Sequence, residues 1–523
     1  MRSSTPDLLI ACVLAAALAA QAGWAAATTS GTPDETTYLA AGLRLYHHAD
    51  VRPLVEDGVA PLPVLLSFAA PALVDATEYA QTIRVARTSA IALIAIPLVL
   101  IVYWSVLQAA GRTAATIGTA LVAFSPNIIA HAAVAATDIC FVAATLAALL
   151  ALGRYVDRPS RGRLALLALT LGAALAAKYS AVTLFPAVLM VLVLANRRHR
   201  AAGRVWHALG VTGGLALASF LMVWALHGFA MFPSTVPALA SHRMPAVVAG
   251  VLSQVVHQRG GHPAFLLGST SATGWWYYMP VAFALKSTPA ELVVIAFGLL
   301  VVATDWRHSS TSALVWRVTI VTFGAFALVN RLDLGIRYAL ILVPLFAFVT
   351  LEKWWRVADG RLRSITGAAL VLVQVSSAVA IAPHYLSYFN RFSGGPSMGY
   401  RYLADSNIDW GQDLPALRHV LSDLGGGTLL FSYFGNAPFG AYGLSADVWT
   451  SAVQDFRRWD YVAISVTHLD GLFVTGDPFA PFRSVSPSAR AAYSILLFST
   501  SRPEVREAMA TVARRWRAAE SSR

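Results

Sequence analysis

Adjacent carboxylates at Asp34 and Glu35 stand in the run Gly31-Thr32-Pro33-Asp34-Glu35-Thr36-Thr37-Tyr38, just after the first long apolar stretch. An acidic pair held at a lipid–water boundary by a rigid helix start is placed to take a proton from a hydroxyl. The run also has a structural explanation: Thr32 as N-cap, Pro33 at the first helical position and Glu35 two residues later spell a capping box. A third acid, Asp138, follows Ala136-Thr137 where another apolar stretch begins, which again suits an N-cap. His131, a few residues earlier, reads as a hydrogen-bonded boundary residue before it reads as a ligand.

Cations accompany these acids. Lys178 lies in Ala177-Lys178-Tyr179-Ser180, Lys286 in Lys286-Ser287-Thr288-Pro289, and Arg337 in Gly335-Ile336-Arg337-Tyr338. Each alone could snorkel to lipid headgroups. Gathered at one boundary with carboxylates, they suit a lipid phosphate whose leaving oxygen needs its charge neutralised. Further along, Asp405, Asn407 and Asp409 mimic half of a calcium loop. Trp410 occupies the position that needs glycine, and Ala416 the position of the bidentate acid, so calcium binding is not expected. Exposed polar loops carry function, so Asp405, Asn407, Asp409 and Trp410 are candidate sugar or acceptor contacts.

The elements that position these residues are apolar. Of 523 residues, 57% are hydrophobic and 13% charged, with a net charge of +12. The basic residues fall in short clusters between apolar runs, a pattern of membrane topology and not of a nucleic-acid face. Spans are expected near 8–27, 88–108, 113–130, 138–153, 164–177, 179–195, 206–226, 291–303, 314–329, 339–351 and 365–383. The Ala-rich end of the first resembles a signal cleavage site, but its apolar core is too long for one, so a retained helix is expected. Alternate short gaps hold fifteen basic residues (Arg2, Arg112, the groups 154–163 and 197–204, Arg307 and the group 353–363) against Lys178, Arg331 and Arg337. The positive-inside rule puts the fifteen in the cytoplasm and leaves loops 28–87 and 227–290, and the tail, outside. The expected architecture is an all-α polytopic membrane part, 1–383, with about eleven spans. The tail, 384–523, alternates a helical stretch around Leu414–Leu424 with strand-like runs Thr428–Phe434 and Tyr461–Val466, so a small α/β domain is expected. Cys12 and Cys140 both lie in apolar runs, which excludes a disulfide framework and a CxxC site. No P-loop and no GxGxxG occurs.

These landmarks together resemble the GT-C superfamily of polyprenyl-phosphate-sugar-dependent glycosyltransferases, in particular bacterial relatives of the protein O-mannosyltransferases and the lipid A aminoarabinose transferase. The likeness rests on Pro33-Asp34-Glu35…Tyr38, Ala130-His131…Thr137-Asp138, Ala177-Lys178-Tyr179-Ser180, Lys286-Ser287-Thr288-Pro289 and Arg337-Tyr338. The tail stretch from Tyr388-Phe389-Asn390 to Asp413 is similar to that of a bacterial subgroup. The resemblance implies a catalytic acid at Asp34 with Glu35 beside it, a second acid at Asp138, and donor-phosphate contacts at Lys178, Arg337 and Lys286. Tyr38 and His131 join the candidate sugar or acceptor contacts. It implies a hexosyl- or pentosyltransferase of the bacterial plasma (inner) membrane acting at the extracytoplasmic face, with inversion. The donor would be a polyprenyl-phosphate sugar, the acceptor a lipid, glycan or protein, and nucleic acid is not a partner. Some relatives use a divalent metal; the sequence has no convincing ligand cluster, and metal dependence stays open. The rival reading is a transporter or flippase for a lipid-linked sugar. Transporters tend toward repeated halves with mid-membrane sites, whereas here no repeat is visible and the charges gather at one face.

Overall fold

The computed structural model describes residues 5–74, 78–195, 201–234, 241–259, 261–306, 310–453 and 456–521. Arg2, Arg197, Arg198, Arg200 and Arg307 of the basic clusters lie outside the described residues. Among the described residues, six helices are long and apolar enough to cross a membrane: Thr5–Thr28, Tyr79–Ala123, Thr137–Asp157, Gly203–Leu226, Thr311–Val329 and Gly360–Ile381. The expected stretches 164–177, 179–195, 291–303 and 339–351 form shorter helices, among them Arg161–Ala177, Pro289–Thr304 and Leu342–Val357.

The Tyr79–Ala123 segment reverses direction within itself. Gly111 adopts φ 82° and ψ 179°, non-helical values that a residue with a Cβ adopts only under strain. Contacts along the first helix show the reversal. Arg87 reaches the carbonyls of Ala26 and Thr29 at one end. Tyr103 and Arg112 both bond Asp7 at the other end. Ala123 is back beside Gln21. The chain therefore runs away from the end near Thr28, turns at Gly111 and returns. The returning helix stops at Ala123, short of the expected 130, because Pro126 starts a new helix, Pro126–Ala132, capped by Ser125.

Between the first two long helices lie Pro33–His48, Arg52–Glu56 and Pro61–Leu73. The 227–290 segment holds two small antiparallel hairpins, the helix Ala246–Arg259 and the short helix Tyr278–Lys286. In the tail, the helix Leu414–Asp423 precedes a five-stranded mixed sheet. The strand order across it is Asp447–Val448, Leu429–Ser432, Tyr461–Ser465, Ile495–Ser499, Ala489–Ala491, with the helix Pro503–Ser521 following. Side chains alternate across the sheet with period two. Leu429, Phe431, Ala463 and Leu497 pack under Leu414 and Leu417. Leu430, Val462 and Phe498 face the opposite way, into a core continuous with Val505 and Met509 and with the bundle residues Leu18, Val99 and Leu121. The tail is thus packed onto one end of the bundle, the end where the first helix stops at Thr28.

Candidate active site

At that end the chain leaves the first helix and enters Pro33–His48 through the capping box read from sequence. Thr32 accepts from the Glu35 amide, and Glu35 Oε2 accepts from the Thr32 amide at 2.9 Å. Successive side chains of this first turn point in different directions. Glu35 is fully buried and takes Arg87 on both oxygens, Nε to Oε1 at 2.8 Å and Nη2 to Oε2 at 2.7 Å. The Ala135 amide adds a third donor at 2.9 Å. Glu35 is therefore a cap and the anchor of a buried ion pair, which supports the structural reading over a share in proton transfer.

Asp34 turns instead toward a cleft of ≈ 220 Å³ lined also by Tyr38, Lys178, Asn330, Arg337 and Tyr338. Arg337 Nη1 donates to Asp34 Oδ2 at 2.8 Å and lies 3.6 Å from Asp138 Oδ2. Lys178 Nζ donates to the other Asp138 oxygen at 2.6 Å. The four groups form a chain of alternating charge, Asp34–Arg337–Asp138–Lys178. Lys178 is aimed by the break between two helices: it is the extended residue after Arg161–Ala177 and before the 3₁₀ turn Tyr179–Thr183. Its ammonium rests 4.4 Å from the Tyr338 ring centroid. Asp138 is fixed at the start of Thr137–Asp157 and is buried. Within this chain of four groups, Asp138 Oδ2 and Arg337 Nε have no hydrogen-bond partner among the described residues. A buried guanidinium edge without an acceptor is costly in a resting protein and ready-made for an incoming anion.

Arg337 is held by the tail. Its guanidinium lies 4.3 Å from the centroid of Trp410, which also makes an edge-type contact with His131, ring centroids 5.9 Å apart. His131 itself is buried, with Nδ1 4.0 Å from Asp138 Oδ2. The segment bearing Arg337 is clamped by the same tail loop. Ser406 Oγ donates to the Leu334 carbonyl at 2.6 Å, and the Ile336 amide to Asn407 Oδ1 at 3.2 Å. Gly335 permits this approach, since a Cβ there would come within 2.8 Å of Ser406 Oγ.

Several candidates are elsewhere. Lys286 is buried with its ammonium donating to the carbonyls of Leu386, at 2.7 Å, and Asn407. It ties the tail to the short helix before it and does not line the cleft. The loop 405–413 is not exposed, as expected from its polar residues, but folded under the tail against the bundle. Asn407 donates to Tyr278 Oη at 2.8 Å. Asp409 accepts from the Thr467 and Gly411 amides at 3.1 and 3.3 Å. Burial pushes the Asp409 carboxyl up to about 8 against the lowering effect of those two amides. Asp405, at φ 56°, accepts from the Ser406 amide. Burial lifts its carboxyl to about 6, opposed by nearby Arg337 and that amide. Of this loop, Trp410 alone of the named candidates stacks on a cleft residue. Among the described residues, no three His, Cys, Asp or Glu side chains gather as metal ligands. Asp34, which lines the cleft, is paired with Arg337, and the buried Asp138 with Lys178.

Arg87 is the residue that sequence reasoning missed. Besides Glu35 it donates to the carbonyls of Ala26, Thr29 and Ser30. Its position at the start of an apolar run, at an expected outer membrane boundary, is the signal that could have marked it.

Residues 81–224 match the model of the dolichyl-phosphate-mannose-protein mannosyltransferase family. No curated protein matches the chain in sequence. Among solved structures, the chain is similar to ArnT from Cupriavidus metallidurans bound to undecaprenyl phosphate, at 12% identity over 93% of this chain and 97% of that one, TM-score 0.49. The apo state of the same protein gives 13% identity over 96% and 98%, TM-score 0.48. The archaeal oligosaccharyltransferase AglB from Archaeoglobus fulgidus, in complex with an inhibitory peptide and a dolichol-phosphate, gives 12% identity over 88% and 70%, TM-score 0.48. By its family-model match over residues 81–224 and by the motifs around its cleft, the chain resembles the GT-C glycosyltransferases.

Proposed function

We propose that this protein is a membrane glycosyltransferase that moves a sugar from a polyprenyl-phosphate donor to an acceptor at the extracytoplasmic face. The observation that carries the reading is the open charge chain Asp34–Arg337–Asp138–Lys178 around one cleft. The family model over 81–224 supports it, because that family is described by a lipid-phosphate sugar, dolichyl-phosphate-mannose, as donor. In this reading the chain passes the membrane eleven times, with its N-terminus cytoplasmic and its tail outside.

The acceptor hydroxyl attacks the sugar C1, its proton goes to Asp34, and the bond from C1 to the phosphate oxygen breaks with inversion. Lys178 and the free edge of Arg337 take the phosphate as its charge grows on the leaving oxygen. Asp138 holds both cations in place, and Tyr38 and Tyr338 wall the cleft. The gathering of these groups at one end of the bundle, instead of midway along it, favours an enzyme over a transporter. The test is incubation of the purified protein with a panel of polyprenyl-phosphate sugars and candidate acceptors, reading released polyprenyl phosphate. Release from one donor that depends on acceptor is the expected result. Translocation of an intact lipid-linked sugar across proteoliposomes, without release, would overturn the reading.

A further inference from the structure

A second cavity opens at the same end of the bundle and shares no lining residue with the cleft. It is a groove of ≈ 610 Å³ between the end of the Thr5–Thr28 helix, the first turns after Tyr79, and the tail helix Leu414–Asp423. Arg84, Arg418, His384 and His419 line it, and no Asp or Glu does. Arg84 Nε returns only to the Ala80 carbonyl of its own helix, at 3.3 Å. On the tail, Arg458, Arg483 and Arg502 each hold a carboxylate at 2.8, 2.6 and 2.7 Å, while Arg391, Arg401, Arg490 and Arg506 hold none among the described residues. Arg84 and Arg418 have no such partner among the described residues. Asp413, which is buried and does not line the groove, lies 3.9 Å from His384 Nδ1.

The position of the groove narrows what it takes. Thr28 and Pro383, both in its lining, mark the ends of two helices of membrane-spanning length, Thr5–Thr28 and Gly360–Ile381. The cations therefore lie where apolar helices emerge, at the level of lipid headgroups. Snorkelling accounts for one cation on one helix end. It does not account for two arginines and two histidines brought from three separate elements around a carboxylate-free cavity of headgroup size. Guanidinium forks match phosphate oxygens in paired hydrogen bonds, and basic pockets beside membrane helices hold phosphorylated headgroups. From this geometry we infer that the groove is a second anion site that takes a phosphate group, presented by a bilayer lipid or as free phosphate. Its occupant bridges the first turns after Tyr79 and the tail helix Leu414–Asp423. The inference stands independently of the reaction proposed for the cleft.

The test uses the full-length protein in neutral detergent and a fluorescent short-chain phosphatidic acid, with phosphatidylcholine of the same chains as control. Saturable binding of phosphatidic acid is expected, with roughly a tenfold or greater loss of affinity in Arg84→Gln/Arg418→Gln. Both residues are exposed, so that variant keeps the thermal stability of the parent. Displacement of the probe by inorganic phosphate identifies free phosphate as sufficient; retention of the probe identifies a lipid headgroup. Equal binding of the two lipids would overturn the inference. So would wild-type affinity in the double variant, or loss of binding in Lys178→Ala with full binding in the double variant, which would move the lipid to the cleft.

Discussion

Asp34 and Glu35 are one peptide bond apart, and each carboxylate meets an arginine, yet the two ion pairs differ in kind. Glu35 and Arg87 saturate one another: the acid accepts from a guanidinium fork and two backbone amides, and the guanidinium spends its remaining donors on three carbonyls. Both side chains are wholly excluded from solvent. Asp34 and Arg337 share a single hydrogen bond, the acid's side chain keeps 28% of its surface exposed, and Arg337 Nε has no acceptor among the described residues. A saturated buried pair leaves no position for a ligand and serves to fix the chain. An unsaturated pair beside a cleft is held in place while keeping hydrogen-bonding capacity for something else.

The sharpest way to break this contrast is to neutralise each acid. Asp34→Asn is expected to lower turnover by a factor of about 10²–10⁴, the usual range for losing a general base, with little change in thermal stability. Unaltered turnover would take Asp34 out of the mechanism and make the two pairs alike. The converse substitution, Arg87→Met, strands a buried carboxylate and should cost about 3–5 kcal/mol of stability. Thermal unfolding in detergent measures it, and a loss within the scatter of surface substitutions would show that the pair is not the anchor described. The mildest probe is Arg337→Lys, which keeps the charge and removes the planar fork. A tenfold to hundredfold loss is expected, mainly in kcat, since one charge-assisted contact is worth ~1.5–3 kcal/mol. Wild-type kinetics would reduce Arg337 to a plain counter-ion of Asp34.

The contrast also marks what could be read from sequence. Asp34, Asp138, Lys178 and Arg337 stand out because charge at the ends of apolar stretches, on the side poor in cations, needs a reason. Lys286 carries the same mark, but its ammonium is consumed by two tail carbonyls. Residue type and position do not distinguish a cation reserved for a ligand from one satisfied by distant backbone. Polarity likewise made the loop 405–413 look exposed. It is buried because Ser406, Asn407 and Asp409 bond groups more than fifty residues away in sequence, and no local pattern records such pairings. The tail elements were legible because each is local: the Leu414–Asp423 helix and the strands Leu429–Ser432 and Tyr461–Ser465 fall within the runs read for them. The reversal at Gly111 falls in the gap between the expected stretches 88–108 and 113–130, where Arg112 stands.

The buried Arg87 pair has a consequence for how the protein comes into being. Every partner of Arg87 and Glu35 lies between Ala26 and Ala135, so this knot can be tied while the ribosome is still making the first third of the chain. The cleft draws on Arg337 and on the ring of Trp410 beneath it, both far downstream. Domains fold from the N-terminus as chains are synthesised, so the Arg87–Glu35 pair precedes Arg337, and the tail later adds its own hold on the turn before Asp34, through the Ser30 amide to the Gln412 carbonyl and the Gly31 amide to Tyr442 Oη. A chain ending before Trp410 lacks both the ring beside Arg337 and the tail's hydrogen bonds to Ser30 and Gly31, so the tail completes the cleft at two points.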